Sequence, residues 1–192
     1  KSQNDHNAVR LYHSSEWADL KTHQPFFAQV NLPVVERTRH GETYGWTGSK
    51  ATPAFGTQTH SGDTNPDTVT VPPYYPDHPI TRKDWAGYLD AVNDVDTRAG
   101  EILARLAADG LADNTIVIFF ADNGRLEARG HHWCYDSGER VPLIVRWPAN
   151  FPPPADYRAG TVSDRVISLL DLTATTLSLA GIKKPAAMQS EI

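Results

Sequence analysis

Cysteine is nearly absent. Cys134 is the single thiol in 192 residues, so no intrachain disulfide can staple the fold, and one cysteine decides nothing about redox compartment. Long apolar runs are also missing. No stretch approaches the ~20 residues that a membrane-spanning helix needs, and the first residues, KSQNDHN, lack the apolar core of a signal peptide. Basic charge is scarce as well: 18 Lys and Arg stand against 23 Asp and Glu, for a net charge of -5 and a pI near 5.9. Nucleic acid as a general partner wants a basic face, which this balance does not supply. An anionic ligand would have to be met by local charge. Internal repeats and low-complexity tracts are absent too. What is present describes a globular chain, 40% hydrophobic and 21% charged, with one domain's worth of sequence to bury a core. Fourteen prolines predict stiffened loops between strongly periodic segments.

The most informative stretch runs from Asn114 to Pro148. Thr115 to Phe120 is an unbroken apolar, β-branched and aromatic run, the pattern of a strand buried on both faces of a parallel sheet. It stops at Ala121, Asp122, Asn123 and Gly124. In open α/β sheets, ligands bind beyond the carboxyl ends of the strands, where loops carry polar groups on a rigid base. Asp122 and Asn123 stand there with a carboxylate and an amide carbonyl, two hard oxygen donors that suit Ca²⁺ or Mg²⁺ better than a soft metal. Gly124 would let the backbone turn without a Cβ clash. Read alone, Asp-Asn-Gly is first of all a good turn, because Asn-Gly tolerates positive φ and Asp bonds its own backbone; its surroundings give it the second reading.

Before this stretch, Ser14 and Ser15 offer an N-cap for a short helix over 16–21, with Trp17 and Leu20 on one face and Pro25 stopping it. Phe26 to Leu32, FFAQVNL, reads as a second buried strand. A loop from Pro33 to about Ile80 follows, without helical or strand period, and loops of that length are usually functional or disordered. Its aromatics Tyr44, Trp46, Phe55, Tyr74 and Tyr75 argue for order. They suggest a lid over the sheet edge whose rings could stack on a sugar, or an insertion that only covers that edge. Thr81 to Asp109 is the strongest helix. Thr81 and Asp84 resemble a capping box, Trp85, Leu89, Val92, Val95, Ala99, Ile102, Leu103 and Leu106 form one apolar stripe, and Gly110 ends it. Asp90, Asp94 and Asp96 fall between stripe positions and read as a solvated face. After the Asn123 loop, Val141 to Arg146 is a third strand, Pro152 to Pro154 is a rigid extended connection, and Ser168 with Asp171 caps a last helix ending at Gly181.

Order and spacing over most of the chain resemble the sulfatase family of the alkaline-phosphatase superfamily. The resemblance is carried by Gly110, Leu111, Asp113, Asn114 and Thr115; by Asp122, Asn123 and Gly124; by Tyr135, Asp136, Ser137 and Gly138; and by Val141, Pro142, Leu143, Ile144, Arg146, Trp147 and Pro148. A further match lies in Asp171, Leu172, Thr175, Thr176, Leu177, Ala180, Gly181 and Ile182. It implies an incomplete α/β/α sandwich with a mostly parallel sheet, and a single incomplete catalytic domain over 1–192 whose 33–80 loop lines the active-site edge. By the same resemblance Asp122 and Asn123 would be half of a Ca²⁺ site, with Mg²⁺ second.

Sulfate-ester hydrolysis needs the sulfuryl oxygens neutralised and the leaving oxygen protonated, tasks suited to a cation and to a His or Lys. The family's nucleophile is a formylglycine made from the first residue of Cys-x-Pro-x-Arg or Ser-x-Pro-x-Arg; neither motif occurs here, nor does the family's early Asp-Asp pair. The resemblance therefore predicts that an N-terminal half outside these residues carries the nucleophile and two more metal ligands. His131 stands where many relatives have Lys or Arg, and an imidazole there can donate or shuttle a proton. His60 is the other catalytic candidate. His40 and Arg129 are the substrate-binding candidates, and His132 adds local positive character. The expected activity is hydrolysis of a sulfated small molecule or glycan, with a periplasmic or secreted address implied by the family. A phosphonate or phosphodiester hydrolase of the same superfamily, or a binding module that has lost its nucleophile, are the alternatives.

Overall fold

The computed structural model describes residues 14–32, 62–125 and 128–190. The chain divides into two compact units, 1–113 and 114–192. In the first, α1 is a single turn at Asp19–Thr22, and α2 is the 30-residue helix Pro79–Ala108. The cap of α1 differs from the expected serine cap: Ala18 occupies that place with no side-chain bond, while the Ser14 hydroxyl accepts from the Glu16 amide one turn earlier. Helix α2 also begins earlier than the Thr81 box predicts. His78 is its N-cap, with Nδ1 accepting from the Ile80 amide, and Pro79 follows at the first helical position, where no N–H is needed.

Helix α2 holds the segment before it by two polar clamps. Arg82 donates to the Asp77 carboxylate at 2.5 and 2.8 Å and to the carbonyls of Asp67 and Val69 at 3.1 Å. The second clamp corrects the reading of Asp90 as solvated. Asp90 is 0% exposed, and its Oδ1 accepts from the amide (3.0 Å) and hydroxyl (2.5 Å) of Thr64. A polar position between stripe residues can be buried when a neighbouring loop brings it donors, which periodicity does not register. Apolar packing is carried by Val69, Ala86, Ala91, Val95, Leu106 and Leu111. At the far end of α2, Asp109 accepts from the Trp17 indole at 2.7 Å and pairs with Lys21 at 2.9 Å, while Arg105 lies 4.7 Å over the Trp17 ring.

The strand expected over 26–32 does not form. Phe27 is 62% and Val30 51% exposed, and the segment is extended without a ladder partner among the described residues. An apolar run becomes a strand only where another strand completes its backbone bonds.

In the second unit, β1 (Val117–Phe120) pairs with β2 (Leu143–Arg146), with Val117 opposite Arg146 and Phe120 opposite Leu143. The pairing is antiparallel, where a mostly parallel sheet was expected. Among the described residues the one helix between the strands is the four-residue α3 (Asp136–Glu139), and no long crossover helix carries the chain back for a parallel pairing; it returns beside β1 in the opposite sense. The strands are also less buried than the apolar runs suggest, Ile144 being 60% exposed. Helix α4 (Leu169–Leu179) carries the expected capping box: the Ser168 hydroxyl accepts from the first turn and Asp171 accepts from the Ser168 amide at 3.0 Å. Gly181, at φ +70°, closes it.

Candidate active-site loop

The loop between β1 and β2 holds Asp122 and Asn123 between two backbone bonds to the same returning segment. The Ala121 amide donates to the Pro142 carbonyl at 3.3 Å, and the Gly124 amide donates to Gly138 at 2.8 Å. The two intervening residues are thus pinned at both sides. Asp122 is exposed and Asn123 half-buried. Among the described residues neither side chain has a hydrogen-bond partner, so their oxygens are not consumed in tying the bend.

Gly124 is required by proximity rather than by a left-handed backbone. A Cβ there would lie 2.7 Å from the Gly138 Cα and closer still to the Ser137 carbonyl. Gly138 is under the same constraint, its Cβ position being filled by the carbonyls of Trp133 and Gly130. Close backbone packing of this kind explains why Gly130 and Gly138 are buried while most of their neighbours are exposed. Further bonds hold the loop: His131 amide to Arg125 carbonyl at 2.6 Å, Trp133 amide to Gly130 carbonyl at 3.1 Å, and the Ser137 hydroxyl to the Arg129 carbonyl.

Within this loop stand four of the six predicted site residues. Arg129, at φ +65°, places its guanidinium 4.2 Å over the Tyr135 ring. His131 stacks on His132 with ring centroids 4.0 Å apart and planes 19° from parallel; His132 itself has φ +78°. Two non-glycine residues in the left-handed region within four positions mark a loop whose shape is imposed by its surroundings. His40 and His60 lie outside the described residues. Arg125 is a residue the sequence reading passed over. It follows Asp-Asn-Gly directly, is half-buried, and its carbonyl anchors His131. A cation immediately after a two-oxygen motif was the available signal.

As donors, Asp122 and Asn123 fit a hard divalent cation by chemistry. Two such side chains could fill only part of a divalent cation's shell. Among the described residues no group of three or more His, Cys, Asp or Glu side chains is placed to hold a metal.

The sulfatase family model matches residues 15–182. An ulvan-active sulfatase of Formosa agariphila is 28% identical over 92% of this chain and 32% of its own length. Human N-sulphoglucosamine sulphohydrolase is 31% identical over 85% of this chain and 33% of its own. The dog N-acetylgalactosamine-6-sulfatase is 34% identical over 62% and 24% respectively. The chain thus spans about a third or less of these relatives' length. With a match across most of its residues, the chain belongs to the sulfatase family and to the alkaline-phosphatase-like α/β fold that this family implies.

Proposed function

We propose that the complete protein hydrolyses sulfate esters on a carbohydrate, and that Asp122 and Asn123 give two oxygen ligands to its Ca²⁺ site. The observation that carries this reading is the pair of side chains, unspent on hydrogen bonds among the described residues, on a backbone pinned at Ala121 and Gly124. Relatives whose names specify ulvan, N-acetylgalactosamine 6-sulfate and sulphoglucosamine support a sugar sulfate as substrate.

Hydrolysis breaks the sulfur–oxygen bond of the ester, releasing sulfate and the sugar hydroxyl. A bound Ca²⁺ would draw charge from the sulfuryl oxygens as the bond breaks. Arg129 adds a permanent positive charge in the same loop, suited to the sulfate group. His131, half-buried and fixed through its own amide, is the imidazole we assign to give a proton to the departing sugar oxygen. The attacking nucleophile is assigned to a formylglycine outside these residues, and His40 and His60 remain substrate-binding and catalytic candidates.

Asp122→Ala in the complete protein should reduce turnover of p-nitrophenyl sulfate and of an ulvan oligosaccharide by more than about a hundredfold. Retained turnover rejects the metal role. Parallel assays with a phosphodiester substrate decide between ester classes, and faster phosphodiester cleavage would move the protein to another branch of the superfamily.

A further inference from the structure

A tryptophan ring seldom stays in water, because the indole is the largest apolar body a side chain can bury. Trp17, Trp85 and Trp147 follow that rule and are half-buried. Trp133 departs from it. It is 59% exposed, and Tyr135, its ring centroid 6.4 Å away and its plane tilted by 32°, is 43% exposed. We propose that Trp133, flanked by Tyr135, is the residue on which a pyranose ring of the substrate glycan stacks, so that this pair selects sugar sulfates among sulfate esters.

Three observations point to that ligand. First, the two aromatic residues share an anchor with the Asp122 bend. The Gly138 carbonyl accepts from the Gly124 amide at 2.8 Å and so closes that bend. The Gly138 amide donates to the Tyr135 carbonyl at 2.7 Å, and the Trp133 carbonyl occupies the place a Cβ of residue 138 would need. One glycine thus ties the segment carrying the rings to the segment carrying Asp122 and Asn123.

Second, the backbone beneath the rings is fixed before any ligand arrives. The Trp133 amide donates to the Gly130 carbonyl at 3.1 Å, and Tyr135 opens α3 with its carbonyl also accepting from the Glu139 amide at 3.1 Å. Rings carried on so constrained a backbone lose little freedom on binding.

Third, the side-chain chemistry matches a sugar that bears an anionic ester. The C–H face of a pyranose carries partial positive charge and meets the negative face of an indole. The Trp17 and Trp147 indoles spend their N–H groups on the Asp109 carboxylate and the Phe151 carbonyl. That of Trp133 has no acceptor among the described residues and can donate to a sugar hydroxyl. The Arg129 guanidinium, 4.2 Å over the Tyr135 ring, sets a positive charge beside the pair, to which the sulfate of the same ligand is drawn. An apolar protein segment would answer to the rings but not to the indole N–H.

This inference rests on the glycan-sulfatase reading for the identity of its ligand, yet its first test needs no turnover. Calorimetric titration of the complete protein with chemically desulfated ulvan oligosaccharide should show binding. Trp133→Ala should weaken that binding about tenfold, the effect of losing one aromatic contact, and Trp133→Phe, which keeps a ring, should stay within about threefold of wild type. Inorganic sulfate, which has no ring to stack, should inhibit p-nitrophenyl sulfate turnover equally in all three proteins, to within about twofold. Absence of oligosaccharide binding in the wild type, or equal affinity in all variants, would overturn the stacking role. So would sulfate inhibition that weakens with Trp133→Ala in step with the oligosaccharide, because the ring would then merely hold the loop in shape. Failure of p-nitrophenyl sulfate turnover by the wild type would overturn the hydrolase reading and leave the oligosaccharide titrations to decide the stacking role.

Discussion

At Gly124 the backbone of one loop limb lies directly on the other. Its Cβ position is occupied by the Ser137 and Gly138 main chain, which cannot move aside as a flexible side chain could. Gly124→Ala should therefore lower stability by about 1–3 kcal/mol, a range typical of overpacking, measured by urea denaturation. Because the bond to Gly138 closes the Asp122–Asn123 bend, the same variant should also lose activity. An Ala as stable as wild type would contradict the packing. Asp109 offers a test of a different kind. Its carboxyl is held below the ordinary carboxylate value by the Lys21 hydrogen bond first and the Trp17 indole second. A carboxyl whose folded value is depressed binds protons more readily when unfolded, so its stabilisation is complete above about pH 3.9 and fades as pH falls through the folded value. Asp77, depressed chiefly by its Arg82 hydrogen bond, acts in the same direction. Asp109→Asn should accordingly show a shallower fall in thermal midpoint than wild type between about pH 5 and pH 2.

Elements show how far local pattern reaches. Helix α4 and its Ser168–Asp171 box follow from residue types three apart, because capping is satisfied within one turn. The long α2 is equally plain from its stripe, yet its start moved to His78 and Pro79, since a ring nitrogen and a missing N–H also answer the needs of a first turn. Strand pairing lies outside the reach of such patterns. Phe26–Leu32 and Leu143–Arg146 are similar apolar runs, and only the second finds a partner among the described residues. Pairing depends on residues distant in the chain, which neither run encodes. Asp90 is the same lesson for a side chain: its donors come from Thr64, 26 positions away. Asp90→Ala strips the acceptor from two donors and should cost about 2 kcal/mol or more in chemical denaturation. Thr64→Ala, which removes the hydroxyl and keeps the amide bond, should cost less. Equal stability of Asp90→Ala and wild type would mean that the clamp contributes nothing.

Across the whole molecule, the bend at Asp122 and Asn123 was legible because an apolar run stopped by polar turn residues announces itself locally. Completing a cation shell is another matter, since Ca²⁺ takes six to eight oxygens and these two residues supply two kinds of donor side by side. Calcium titration of the 192-residue chain should thus show no binding in the micromolar range. Tight binding would mean that residues of this chain complete the shell after all. The stretch from Arg129 to Ser137 has a practical corollary. Cys134 is exposed and is the sole thiol of the chain, three residues before the Ser137 hydroxyl that fastens the loop to Arg129. A maleimide dye would consequently attach at one address without prior mutagenesis, turning the loop into its own optical reporter.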